Sequence, residues 1–362
     1  MERHRHVFDR FIQYETQYDG YLLARRDKRY KPEVLSYSAN LEENIIDQTN
    51  QLVWHEYRIS GVHEFYEYFP KKRIITAWPF KNRVVNCAAY KVLWPIYVNS
   101  MYEHSYGSIP GRGTLMACDV LQKWMHRSRW TGKNQWLAKA DVAKFFFRIP
   151  HEVQLRELGK ALDDPDMMWF LETCINGDGR PTGLPLDCGD PSEAERIFGI
   201  GMPVGSLISQ MTANVVMTPL DHYMKRVVRV PEYIRYMDDM IMKGESKQQM
   251  WDCLGLMDEF LQSNMGLQLN NKTAVMKYDE GVEFVGRIVR PDRIDLRKST
   301  SLQMKRHLDF VKEAYAKGEI PLEYAQSVIQ SYLGLLKHTS SAALREKICQ
   351  DFVLVRSSAP EE

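Results

Sequence analysis

The stretch Tyr233-Ile234-Arg235-Tyr236-Met237-Asp238-Asp239-Met240-Ile241-Met242 decides how the rest of the chain is read. Two apolar flanks with adjacent acids between them read as strand, tight turn, strand, with the carboxylates at the turn. Neighbouring carboxylates repel each other, and a divalent cation, which takes oxygen ligands, relieves that repulsion. Asp-Asp alone is ordinary turn chemistry. A third acid changes its weight: Trp136-Leu137-Ala138-Lys139-Ala140-Asp141 is an apolar strand ending in a carboxylate, about a hundred residues upstream.

Working outward, Ser206 caps a helix to about Val228, with Pro219 expected to kink or interrupt it. Met250, Leu254, Met257 and Leu261 fall at helical spacing and Gly266 stops that helix. Such a Met stripe is core. Leu267-Gln268-Leu269 and Val282-Glu283-Phe284-Val285 read as short strands. Upstream, residues 7–24 carry a helix pattern that runs into the basic Arg25–Lys31, either a solvated face or a phosphate-tracking patch. Asn40 and Glu43 read as a capping box opening a helix from Leu41 to about Tyr57. A hairpin follows, Phe65–Phe69 and Arg73–Trp78. Its basic tip, with Lys72, can reach a triphosphate, and the Arg73 guanidinium suits bidentate phosphate contact.

Phe80 opens a long helix bent at Pro95, Thr114 caps another, and Pro150 begins a third. Residues 176–201, rich in Gly, Pro and Asp, form the longest loop-like segment. Beyond Arg290 the chain reads as helical, with Ser299 or Thr300 as cap, Gly318 as stop and a second helix from Pro321. Arg297, Lys298 and Lys305 belong to the most basic local stretch, which reads either as a groove along duplex backbone or as a solvated face. Strands alternating with helices suit an antiparallel sheet backed by helices on one face.

With 362 residues, 44% hydrophobic and 26% charged, the chain is expected to be globular and able to bury a substantial core. No apolar run is long enough to span a bilayer and the start lacks a signal segment, so the cytoplasm and no membrane partner are expected. Six scattered cysteines fit buried thiols rather than zinc ligands or disulfides. A net charge of +1 gives no global signature of nucleic-acid binding, leaving that argument to local patches.

Tyr-x-Asp-Asp at 236–239, with Asp141-Val142-Ala143-Lys144-Phe145-Phe146 upstream and Gly201–Gln210 between them, resembles a reverse transcriptase. The resemblance implies an α+β right-hand polymerase fold: fingers, a palm with an antiparallel sheet, and a small helical thumb. The expected division is 1–60 N-terminal helical extension, 61–135 fingers, 136–285 palm, 286–350 thumb and 351–362 tail. Fewer than eighty residues follow Phe284, room for such a thumb but not for an RNase H or integrase domain.

The resemblance also implies roles. Asp141, Asp238 and Asp239, with Val142, would hold two Mg²⁺ ions, for which Mn²⁺ could substitute. Lys272 would protonate the pyrophosphate leaving group. Lys72, Arg73, Arg83, Phe146, Val204, Gly205 and Gln210 would meet the incoming deoxynucleoside triphosphate, with Phe146 excluding a 2′-hydroxyl. Tyr236, Phe284, Gly286, Arg297, Lys298 and Lys305 would contact primer and template. The partners would be a structured template RNA, the RNA/DNA hybrid and dNTPs.

Val204-Gly205 stands where many reverse transcriptases have Gln-Gly, and a valine side chain has no hydrogen-bonding atom. With 28–35, 40–44, 70–73 and 331–338, this resembles the enzymes of diversity-generating retroelements, which copy RNA with errors at adenines. A basic oligomeric accessory variability protein would then be a partner. The rivals are a stand-alone antiphage-defence reverse transcriptase and a non-catalytic RNA-binding polymerase-like scaffold.

Overall fold

The computed structural model describes residues 3–67, 73–188 and 194–356. The chain opens with α1 (Val7–Phe11), α2 (Tyr14–Ala24), α3 (Pro32–Ala39) and α4 (Leu41–Val53), followed by the hairpin β1 (His63–Glu67) and β2 (Arg73–Ala77). Next come α5 (Phe80–Val98), α6 (Thr114–Thr131), β3 (Trp136–Asp141), α7 (Phe145–Arg148), α8 (His151–Gly159), α9 (Pro165–Asn176) and α10 (Leu207–Arg226). The rest is β4 (Glu232–Tyr236), β5 (Asp239–Gly244), α11 (Lys247–Met265), β6 (Ala274–Lys277), β7 (Val282–Phe284), β8 (Arg287–Val289), β9 (Ile294–Leu296), α12 (Lys298–Ala316), α13 (Leu322–Lys337) and α14 (Ala342–Asp351).

Several expectations are corrected. The helix expected over 7–24 breaks because Gln13 is extended at the start of α2. Asn40 makes no side-chain cap, since α3, begun by Pro32, runs almost to it and leaves it as the joint between two helices. Thr114 is the first residue of α6 and Gly113 holds the cap position. Pro219 lies within an unbroken α10, a helix buried along most of its length, where packing outweighs the lost hydrogen bond. Ser299 and Thr300 lie inside α12 because the helix starts earlier than expected, at Lys298 with Arg297 in the cap position, directly after β9. Leu267–Leu269 forms no strand, only a bridge from Leu269 to Val142. Ser206 does cap α10, its Oγ accepting from Ser209 N at 3.0 Å.

The chain divides into two units, each interrupted in sequence. The first comprises residues 1–109, 140–230 and 252–273. Its core surrounds α5, whose Val85, Ala89, Leu93 and Ile96 join Phe11, Phe170, Leu171 and Met211. Gly20 lets α2 lie against α5, because a Cβ there would fall 2.6 Å from Val84 O. Asp164 ties the unit together: Oδ1 caps α9 at Met167 N (3.0 Å), and Oδ2 accepts from Val7 N (2.7 Å) and Phe8 N (2.9 Å).

The second unit comprises 110–139, 231–251 and 274–362. It holds a sheet of order β4-β5-β3-β6, in which the last two residues of β3 pass into the first unit, and a sheet of order β7-β8-β9. β4 and β5 are antiparallel, as are β3 and β6. The sheet interior accepts a buried lysine, Lys243. Lys243 Nζ meets Glu232 Oε2 (2.5 Å), Trp124 O (2.8 Å) and Ser128 Oγ (2.8 Å), and burial lowers its pKa while Glu232 opposes that shift. α12, α13 and α14 share a small core of Met304, Leu308, Val311, Ala325, Val328, Leu336 and Ile348. Among the described residues no helix is long and apolar enough to cross a membrane.

Candidate active site

Tyr236 pairs with Asp239, so the β4–β5 turn consists of Met237 and Asp238. Two-residue hairpins demand positive φ, and Met237 supplies it at +56°. Asp238 therefore sits in the turn, whereas Asp239, expected there too, is the first residue of β5. The turn is held from inside: the Met237 side chain is buried, and the fully buried Arg235 donates from Nη1 to Met237 O at 3.1 Å. Asp239 Oδ1 lies 3.8 Å from Lys139 Nζ, and Lys139 also donates to Glu283 O at 2.6 Å. The Cys118 thiol is pushed up to about 12, mainly by burial, with Arg287 opposing and Asp119 and Asp239 adding to the shift. Tyr236 is half-buried and its hydroxyl pKa is raised by burial.

Asp141 ends β3. Its main-chain oxygen accepts from Asn270 N at 2.8 Å, and its carboxylate accepts from the Asn270 side-chain amide. Asn270 Oδ1 in turn accepts from Lys272 N at 2.9 Å, an Asx turn that presents the exposed Lys272. Asn270 is the site residue that sequence reasoning passed over. Its signal was an Asn two residues before the lysine, at the end of an apolar run. Val142 is buried beside Leu269.

The three consecutive phenylalanines divide their work. Phe145 is buried in the core, while Phe146 is half-buried with its ring edge-on to Phe145 at 5.2 Å. Phe146 O accepts from Met202 N at 2.8 Å, and Val204 O accepts from Thr76 N at 2.8 Å, joining the 201–205 segment to α7 and β2. Gly205, at φ +133°, has no room for a side chain: a Cβ would lie 2.7 Å from Thr76 O. Gln210 is half-buried on α10. Arg83 pairs with Glu33 at 3.1 Å and stacks over Phe80 at 5.5 Å, so its charge is already engaged. Lys72 lies outside the described residues; Arg73 pairs with Glu67 in the β1–β2 ladder.

The β7–β8 hairpin also closes on two residues, Val285 (φ +45°) and Gly286 (φ +79°). Phe284 is fully buried, whereas at the turn Val285 is half-buried and Gly286 exposed. Arg297 pairs with Glu283 at 3.0 Å, while Lys298 and Lys305 are exposed on α12. Within the described part of 176–201, Gly183 bridges Ile197, and Lys144 donates to Pro185 O (3.0 Å) and Cys188 O (2.7 Å).

A family model described as reverse transcriptase (RNA-dependent DNA polymerase) matches residues 69–289, more than half of the chain. The chain belongs to the reverse transcriptase family. It has the family's α+β right-hand polymerase fold, with mixed helix and antiparallel sheet. Curated relatives include the COX1/OXI3 intron 2 protein of Saccharomyces cerevisiae, 21% identical over 65% of this chain and 33% of that protein, and protein YkfC of Escherichia coli K12, 23% identical over 58% and 61%. The matches thus span between a third and three-fifths of these relatives' own length. Among solved structures, telomerase from Candida albicans in complex with a TWJ fragment of telomeric RNA aligns with a TM-score of 0.46 at 13% identity, covering 79% of this chain and 54% of that one.

Among the described residues, no group of three His, Cys, Asp or Glu side chains forms a ready-made metal cage. The β4–β5 turn presents carboxylate oxygens, the donor type hard cations take, from Asp238 in the turn and Asp239 beside it; in the first unit, the Asp141 carboxylate is oriented by Asn270.

Proposed function

We propose that this chain is an RNA-directed DNA polymerase that extends a DNA 3′ end on an RNA template by two-metal nucleotidyl transfer. The observation that carries the reading is the β4–β5 turn, which holds Asp238 and Asp239 on rigid backbone at one end of the sheet. In this reading Asp141, Asp238 and Asp239, with Val142, are the Mg²⁺-holding group, which Mn²⁺ could also occupy; the order of these acids along a chain of the reverse transcriptase family supports it. Bound there, the two ions would activate the 3′-hydroxyl and neutralise the triphosphate.

The chain's own residues do the positioning. Asn270 fixes the Asp141 carboxylate and presents Lys272 as the acid for the departing pyrophosphate. Phe146, Val204 and Gly205 would form the wall against base and sugar, with Gln210 behind and Lys72, Arg73 and Arg83 on the phosphates. Arg83 would have to leave Glu33 to do so. Tyr236, the 284–286 turn, Arg297, Lys298 and Lys305 would track primer and template. In this reading 1–60 is an N-terminal extension, 61–135 fingers, 136–285 palm, 286–350 thumb and 351–362 a tail, in the cytoplasm. Asp238→Asn is expected to lower primer extension more than about a thousand-fold while RNA binding stays within about two-fold. Near-normal extension by the folded variant defeats the reading.

For the biological setting, Val204-Gly205 favours an error-prone enzyme of a diversity-generating retroelement, because an aliphatic wall makes no polar check on the base pair. A net charge of +1 fits reliance on a basic accessory protein for RNA binding. Val204→Gln is expected to lower misincorporation opposite template adenine several-fold when cDNA from both forms is sequenced. Equal error spectra would favour an antiphage-defence enzyme instead, and a chain inactive on any primed RNA would favour a binding scaffold.

A further inference from the structure

Lys139 sits two residues before Asp141 on β3, and its ammonium spans two features of the second unit. It donates to Glu283 O on β7 at 2.6 Å and lies 3.8 Å from Asp239 Oδ1. Both side chains are only 22% exposed, so solvent screens the pair in part. We propose that Lys139 is a positioning residue that locks Asp239 to the β7–β8 hairpin and acts as a resident positive charge against which a metal ion must bind. The inference rests on the metal-holding role proposed above for Asp238 and Asp239.

The carbonyl bond decides between this role and that of an ordinary surface lysine. A free lysine would swing into solvent when a divalent cation arrived. Anchored on Glu283 O, this ammonium stays, and two consequences of opposite sign follow. The fixed charge weakens cation binding at Asp239 by direct repulsion. The same bridge registers Asp239 with the Val285–Gly286 turn two residues beyond Glu283, so that a primer end gripped there meets acids already in place. A residue that merely stabilised the fold would not strengthen metal binding when removed.

The test uses the full chain and Mn²⁺, with free ion counted by electron paramagnetic resonance in the absence of nucleic acid, alongside single-turnover extension. Lys139→Met is expected to bind Mn²⁺ about five-fold more tightly than the parent and to extend primer about ten-fold more slowly. Lys139→Arg keeps the charge and is expected to restore parental Mn²⁺ affinity. Should Lys139→Met fail to fold, acetyl-lysine installed at 139 keeps the stem without the charge and reads the same shift. Unchanged or weaker Mn²⁺ binding in the charge-free forms overturns the proposal. Asp238→Asn separates the layers. If it abolishes Mn²⁺ binding while the charge-free forms do not differ from the parent, only the role of Lys139 falls. If it leaves Mn²⁺ binding intact, the metal reading falls and this proposal with it.

Discussion

The β4–β5 and β7–β8 hairpins close on the same plan and are finished differently. Each has a two-residue turn whose first residue carries a side chain at positive φ, Met237 at +56° and Val285 at +45°. At the second place one has Asp238 and the other Gly286. The Met237 side chain is buried and a buried arginine bonds its carbonyl, whereas Val285 is half-buried and Gly286 is exposed. A left-handed side chain costs about 1–2 kcal/mol, and such strain persists only where the surroundings over-determine it. The acid-bearing turn is thus fixed from within, while the other relies on glycine and stays at the surface.

Four substitutions at three positions probe that contrast. Arg235→Leu removes the internal strut and is expected to cost about 2–4 kcal/mol in urea unfolding and about a hundred-fold in extension rate. Intact extension by a destabilised but folded variant would show that the turn holds itself. The two at Met237 are read as a pair. Met237→Gly and Met237→Ala both lose the buried side chain, but only glycine is at ease at positive φ, so the glycine form is expected to be more stable by about 1 kcal/mol. Gly286→Ala, in open space at φ +79°, should cost about 1 kcal/mol and change extension less than about three-fold. An alanine form of Met237 more stable than the glycine form would mean that the turn relaxes, and the contrast would be lost.

The parts of this molecule legible in the sequence are those that local chemistry dictates. The acid hairpin, the strand ending at Asp141, the Ser206 cap and the Gly266 and Gly318 stops each carry their signal within a few residues. What stayed hidden depends on partners far away. Asn40 looked like a cap until α3 occupied the turn before it. β9 is a three-residue strand that exists because β8 offers an edge. Arg83 was assigned to phosphate, yet Glu33, fifty residues earlier, holds it. Asn270 and Lys139 act on acids more than a hundred residues away in one case and a hundred in the other, and for Lys139 no local pattern marks the contact. Phe284 marks the reverse error. The motif places it at the primer, but strand alternation turns its ring into the core.

Asp164 has a consequence for synthesis. The first helix of the chain closes its leading amides on a carboxylate that is translated more than one hundred and fifty residues later. A nascent chain on the ribosome therefore carries Val7, Phe8 and Phe11 without their final seat until that distant acid and the helix behind it emerge. During that interval these apolar side chains are open to chaperones, and any message truncated before α9 would leave them so for good.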